Sequence, residues 1–304
     1  MIKILFIIPS LRRGGAERLV LDICNCLYLR PEVEIKLVCF TEENDYTELM
    51  YYNYLVVIPS SVQLSVYKKN KVNVQALSSF INNFKPDIIH THLFEAEIIS
   101  RSCYYPNAVW FSHCHDNMIQ FRNFKFNTIY KKKYLTNFYE KIYLLKRYKK
   151  NGGNCFIVIS NHTKIYFENC ITKYKKILLP NAINFSKFFH PLRHDNIENE
   201  TLTLINIGSL VDKKNQIFLI EIAKMLRTRI KKFRILVLGD GKNKKKIVEN
   251  VFKNSLDKNF IFLGNVNNVE DYLRKSDIYL HTATYEPFGL VLLEAMAAGL
   301  PVIT

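Results

Sequence analysis

Two glutamates, Glu286 and Glu294, stand eight residues apart in the string EPFGLVLLEAMAAGLPVI, which runs from Glu286 to Ile303. Carboxylates accept hydrogen bonds from paired hydroxyls, so two of them suit a ligand that carries a sugar and a ribose. Phe288, Gly289 and Leu290 lie between them at the expected start of a helix, where free backbone N–H groups can hold a phosphate or sugar oxygen. The spacing alone fits equally well a capped helix with two solvated glutamates; the whole string is more specific. The turn Ser10–Arg18 contains Gly14 and Gly15, a pair that lets backbone approach an anion closely at a helix start, although such turns are often only structural. His113 and His115 flank Cys114, and i, i+2 ligands need further partners to hold a metal. No matching pair is evident, so no metal is expected. Gly239-Asp240-Gly241 lacks the third glycine of a dinucleotide fingerprint and reads as a turn near the nucleotide.

The elements that must position these residues alternate. Strands are expected at 2–8, 34–39, 87–91, 108–112, 155–160 and 176–179, with helices at 15–29 and 71–84 among them. Residues 185–200 are polar and read as a linker, after which the pattern restarts. The second series has strands at 202–207, 234–238, 260–263, 277–281 and 301–304, and helices near 215–230, 243–254, 267–275 and 288–298. This is the α/β alternation of parallel, doubly wound sheets. The expected division is a domain over 1–186, a linker over 187–200 and a second domain over 201–304. Ligands of such sheets bind beyond the carboxyl ends of the strands.

The 304 residues carry 43 Lys and Arg against 27 Asp and Glu, a net charge of +16, which calls for an anionic partner. Ten of the basic residues fall within 121–150, against one acid, Glu140. Leu135, Phe138, Tyr139, Ile142 and Leu145 recur there at helical spacing, leaving lysines on the other side. Such a helix can pack on the first domain with a solvated basic face, or dock on anionic lipid. No apolar run approaches the ~20 residues of a membrane-spanning helix, and Ile4–Ile8 is too short for a signal-peptide core. A cytoplasmic chain, attached at most peripherally to the inner face of the cell membrane, is expected. Seven cysteines without a CxxC fit buried reduced thiols. No nucleic-acid module is present.

The Glu286–Ile303 string resembles the signature of the retaining glycosyltransferases of family 4, which have the GT-B fold of two Rossmann-like domains facing across a cleft. GGAER (Gly14–Arg18), DIIHTH (Asp87–His92), PNAIN (Pro180–Asn184) and GSLVDKKNQ (Gly208–Gln216) agree with that family in order and spacing. The resemblance implies that Glu286 contacts hydroxyls of the transferred sugar and Glu294 the nucleotide ribose. It implies that Lys214 neutralises the departing diphosphate, that backbone around Phe288, Gly289 and Leu290 contacts sugar and diphosphate, and that Gly14 and Gly15 approach the same phosphates. His115, followed by Asp116, resembles the histidine near the anomeric centre, with His113 as runner-up. His90 is expected to be packed structure and His92 to reach the cleft. Asn265 and Val266 are candidate base contacts.

One departure stands out: Ser209 occupies the place where many members carry a second diphosphate-binding arginine. Arg12, Arg13 and Arg18 are candidates to compensate. No D-x-D sequence occurs, and the resemblance implies metal-independent transfer with no cofactor. The expected donor is a UDP-linked sugar, the acceptor a saccharide or lipid-linked saccharide in bacterial surface polysaccharide assembly. Family members usually continue beyond the position of Thr304, so the second domain is expected to be incomplete. Two other functions compete: an inactive, donor-binding remnant and a GT-B-fold sugar-nucleotide epimerase.

Overall fold

The apolar run that opens the chain becomes β1 (Ile2–Ile7), whose successive side chains go to opposite faces of a sheet. Leu5 and Ile7 join one buried cluster, Phe6 and Ile8 another. Both faces are covered, as parallel strands require. A computed structural model describes residues 1–47, 53–123, 132–189 and 201–304, in two units, Met1–Asn181 and Ala182–Thr304.

In the first unit α1 (Gly15–Tyr28), β2 (Val33–Cys39), β3 (Leu55–Val57), β4 (Ser61–Gln63) and β5 (Lys71–Asn73) follow β1. Then come α2 (Gln75–Phe84), β6 (Ile88–His92), α3 (Phe94–Ser100), β7 (Val109–Cys114), α4 (Lys132–Lys150), β8 (Cys155–Val158), α5 (Asn161–Cys170) and β9 (Lys175–Leu178). Seven strands form one parallel sheet in the order β3-β2-β1-β6-β7-β8-β9, while β4 and β5 make a separate antiparallel hairpin. The helix expected from residue 71 therefore starts at Gln75, because Lys71–Asn73 finds hydrogen-bonding partners in Ser61–Gln63. In α4 the fully buried side chains are Leu144 and Tyr148. Phe138, expected on the packed face, is 38% exposed, so the contact face is rotated from the one the spacing suggests.

The second unit contains α6 (Phe185–Phe188), β10 (Leu202–Ile207), α7 (Phe218–Arg227), β11 (Phe233–Leu238), α8 (Lys244–Lys253) and β12 (Phe260–Gly264). It ends with α9 (Val269–Arg274), β13 (Ile278–Leu280), α10 (Leu290–Ala297) and β14 (Val302–Ile303). Its parallel sheet has the order β12-β11-β10-β13-β14, a doubly wound arrangement that places β10 and β13 side by side. The polar stretch read as linker begins as α6, and Phe188 is buried in this unit's core; an apolar side chain with a sheet to cover outweighs its polar neighbours. Residues 190–200 lie outside the described residues. No helix among the described residues is long and apolar enough to cross a membrane.

Candidate active site

In the second unit the chemistry gathers where two adjacent strands end. The loop after β10 carries Gly208, Ser209 and, in a short 3-10 turn, Lys214. The loop after β13 carries His281 and Glu286. Because β10 pairs with β13, residues 72 apart in sequence meet: the Lys214 ammonium forms an ion pair with the Glu286 carboxylate, and His281 Nε2 lies 3.9 Å from the same carboxylate. Lys214 and Glu286 side chains remain 18% and 20% exposed, open enough for a ligand to reach. The two loops are tied together by Thr282, whose hydroxyl donates to the Lys214 carbonyl at 2.9 Å, and by the Thr284 N–H, which donates to the Lys213 carbonyl at 3.0 Å. Burial pulls the His281 imidazole below its ordinary value, with the Glu286 carboxylate opposing that shift and Lys214 adding to it.

Gly289 caps α10 with φ +85°, a left-handed conformation that costs an L side chain energy. A Cβ there would also stand 2.8 Å from Leu292 Cδ1 and 3.1 Å from Glu286 Cγ. The glycine thus turns the chain into the helix and lets Glu286 pack against its backbone. Phe288 and Leu290 flank it, half-buried. Glu294, about one turn into α10, lies near enough to buried Tyr279 to raise its phenol, after burial itself; Glu286 adds a smaller push. The charges of both glutamates therefore act on one buried tyrosine within β13.

The neighbouring loop after β11 is locked to the Lys214 loop. Gly239, at φ +124°, sits so close that a Cβ would fall 2.2 Å from the Gly208 carbonyl oxygen. Leu210 N–H donates to the Asp240 carbonyl at 2.9 Å, and Asp212 pairs with Lys242. Gly239-Asp240-Gly241 is thus the turn expected, and its glycine serves loop packing. Ser209 is exposed, while the Gln216 amide donates to its carbonyl at 3.1 Å. Asn265 is exposed just beyond β12; Val266 packs against the core. His281 and Thr282 were missed by the sequence reading, since the β10–β13 adjacency is what sets His281 and Glu286 beside Lys214 and ties Thr282 to the Lys214 carbonyl.

In the first unit Gly14 caps α1, held by Tyr46: the Gly14 N–H donates to the phenol oxygen at 2.9 Å and the phenol donates to the Gly14 carbonyl at 2.8 Å. Gly15 is exposed. Arg12 pairs with Glu43 and Arg18 with Asp22, the latter at 3.0 Å, so both guanidiniums already have carboxylate partners.

His90 and His92 of β6, His113 of β7 and His115 just beyond it form a single column. His90 and His92 point to the Phe6 face of the sheet, and the pairing of His92 with His113 brings the second doublet alongside. Centroids are 4.5 Å apart for His90–His92, 4.4 Å for His113–His115 and 5.0 Å for His92–His113. His92, expected to reach a cleft, is fully buried. His115 remains partly exposed and its Nε2 lies 2.9 Å from His92 Nδ1, whereas His113 is buried with Nε2 3.3 Å from Asn181 Oδ1. Burial depresses all four imidazoles, His113 to about 4, so the column is neutral at pH 7. The partners that seemed missing for His113 are thus His90 and His92: one ring nitrogen of each of the three lies within 4.8 Å of the others.

On the opposite face of the same strands Arg101 is completely buried. It pairs with Glu97 at 3.2 Å, donates to the Gly153 carbonyl and Asn154 Oδ1, and lies 4.0 Å from the Trp110 ring centre. Glu97 also accepts from the Thr91 hydroxyl.

Residues 13–187 match the profile named Glycosyltransferase Family 4, and residues 192–304 that named Glycosyl transferases group 1. An uncharacterised glycosyltransferase of Methanocaldococcus jannaschii is 26% identical over 287 residues, covering 91% of this chain; the chain spans 66% of that relative's length. The capsular polysaccharide biosynthesis glycosyltransferase CapH of Staphylococcus aureus is 26% identical over 306 residues, which cover 97% of this chain and 79% of CapH. Among solved structures, Anabaena HepE in complex with UDP and glucose shares the fold, with a TM-score of 0.73 and 18% identity over 99% of this chain and 80% of that one. The chain belongs to glycosyltransferase family 4 and has its GT-B fold of two Rossmann-like α/β domains.

Proposed function

We propose that this chain is a retaining glycosyltransferase that moves a sugar from a UDP-linked donor to a saccharide or lipid-linked acceptor in bacterial surface polysaccharide assembly. The observation that carries the reading is the Lys214–Glu286 ion pair beside the α10 N-terminus. A donor diphosphate takes the ammonium, and the released carboxylate accepts hydrogen bonds from the sugar hydroxyls. The names of CapH and of the HepE complex with UDP and glucose support the process and the donor class.

In this reading the bond from the anomeric carbon to the donor phosphate oxygen breaks while the acceptor oxygen bonds to the same face of that carbon. The leaving phosphate oxygen takes the acceptor proton. Lys214 and the backbone N–H groups around Phe288, Gly289 and Leu290 stabilise the charge that develops, and Ser209 donates a single uncharged hydrogen bond. Glu294 holds the ribose, Asn265 and Val266 the base, Gly14 and Gly15 the phosphates, and His115 the reacting hydroxyls. In this reading the cation at the diphosphate is Lys214 and transfer proceeds without a metal, so chelator is expected to leave the rate unchanged.

The test is a panel of nucleotide sugars, with binding measured by calorimetry and transfer by product analysis. Glu294→Ala is expected to weaken free UDP and UDP-sugar alike, whereas Glu286→Ala spares free UDP and loses transfer. Equal loss of free-UDP affinity in both variants contradicts the division of roles. Donor binding without transfer favours the donor-binding protein, and a changed sugar configuration without acceptor favours the epimerase.

Helix α4 supports a lipid-linked acceptor. Lys132, Lys133, Lys146, Lys149 and Lys150 are exposed along it, together with Tyr134 and Phe138; Lys125 and Lys131 lie outside the described residues. At about 1 kcal/mol per basic residue near an anionic surface, three or four contacts give salt-sensitive attachment. Sedimentation with anionic vesicles should therefore pull the chain down at low salt, fail with neutral lipid, and weaken when Lys132, Lys133, Lys149 and Lys150 become Gln. A chain that ignores anionic vesicles at low salt has only a solvated basic face.

A further inference from the structure

The histidine column contains a pattern that sugar transfer does not use. His90 Nε2, His92 Nε2 and His113 Nδ1 are buried without a hydrogen-bond partner. Buried polar atoms in native proteins are nearly always satisfied, and a group of three orphans on neighbouring rings points to a ligand that supplies the missing bonds. The other nitrogens of two of these rings are already engaged: His92 Nδ1 with His115 at 2.9 Å, and His113 Nε2 with Asn181 at 3.3 Å. One nitrogen held by a protein partner while the other is open is how metal-ligating histidines are oriented.

The backbone builds this arrangement rigidly. His90 and His92 are two apart on β6, hence on one face; His92 is registered against His113 on β7, between strands paired on both sides. A ring nitrogen of each residue lies within 4.8 Å of the others. Zinc–nitrogen bonds of about 2.0–2.1 Å in a tetrahedron bring ligand nitrogens to about 3.3 Å, so a bound ion requires these rings, now inclined by 6° for His90–His113 and 28° for His92–His113, to turn until their in-plane lone pairs converge. Among the described residues the group holds imidazoles alone, with no carboxylate or thiolate, which suits zinc and its late first-row neighbours over magnesium or calcium.

We infer that His90, His92 and His113 form a binding site for one zinc-class divalent cation, with His115 and Asn181 orienting two of the ligand rings. The site lies wholly within the first unit and is read without donor or acceptor, so its test is independent of the transfer reaction.

The experiment uses the full chain after dialysis against chelator. Zn2+ alone is titrated against a competing chromophoric chelator, and Co2+ alone is followed by visible absorption. One equivalent of Zn2+ and the intense bands of a four- or five-coordinate nitrogen-ligated Co2+ are expected. His90→Phe, which keeps a ring against Phe6 and Phe111, and His113→Asn should each weaken Zn2+ by at least about 100-fold, and His115→Gln by about 10–100-fold. His162→Gln and Cys26→Ser, both at exposed positions, should bind as wild type. Far-UV circular dichroism and the melting temperature of the metal-free variants establish that they fold. Absence of Zn2+ uptake by wild type, or undiminished uptake by folded His90→Phe and His113→Asn, overturns the site. The Co2+ spectrum of wild type decides the matter even if neither variant folds.

Discussion

Lys214→Ala is expected to lower the transfer rate by about 100- to 1000-fold, the cost of removing one preorganised donor from a developing oxyanion, or about 2.7–4 kcal/mol. The ammonium is the cation paired with Glu286, and Ser209 cannot replace its charge. Removal of Lys214 has a second effect, because the Glu286 side chain, only 20% exposed, is left without its lysine partner. Donor affinity should fall less than turnover, since charge on the bridging oxygen is greatest in the transition state. Steady-state rates and calorimetric donor affinities, measured on the same preparation, separate the two. Ser209→Arg in the otherwise unchanged chain should raise turnover by adding a second diphosphate cation. Unchanged rates in Lys214→Ala would show that another cation serves the diphosphate.

Arg101→Ala is expected to destabilise the first unit by about 3–5 kcal/mol. Its guanidinium is fully buried, so deletion leaves the Glu97 charge uncompensated and the Gly153 carbonyl without its donor. Contact with the Trp110 and Tyr148 rings is lost as well. For a unit of this size, at roughly 2–4 °C per kcal/mol, the melting temperature should drop by about 6–20 °C. The double variant Arg101→Met, Glu97→Leu should recover most of that loss, because an apolar pair of similar volume removes the unpaired charge. A melt of Arg101→Ala within about 2 °C of wild type would mean that water or a rearranged neighbour satisfies Glu97.

Most strands of both sheets were legible because β-branched runs record burial on both faces: 202–207 is β10 to the residue and 2–8 exceeds β1 by one, whereas the short edge strand β3 (Leu55–Val57), half-covered, left no such run. The Glu286 string was legible because its glycine and its helix start are local. What the sequence hid depends on partners far along the chain. Lys71–Asn73 is a strand only because Ser61–Gln63 pairs with it. The rotation of α4 is set by where Leu144 and Tyr148 find cover. His113 found its companions through strand register, not spacing, and Arg101 found its acceptors some fifty residues away at Gly153 and Asn154. The Lys214–Glu286 contact follows from strand order, which no window of sequence contains.

Under the proposed roles, the same ion pair makes the unliganded site a competitor with its own substrate. Any anion that captures Lys214 must leave Glu286 with something better than an unpaired, half-covered charge. Inorganic phosphate offers nothing in return, whereas a nucleotide sugar brings hydroxyl donors to the carboxylate in the same step. Discrimination against bare phosphate is therefore expected from the resting contact alone. In the proposed reaction the sugar departs with the acceptor, and Glu286 is then expected to reclaim the lysine from the diphosphate left behind. The pair thus works against product retention as well as against futile occupancy.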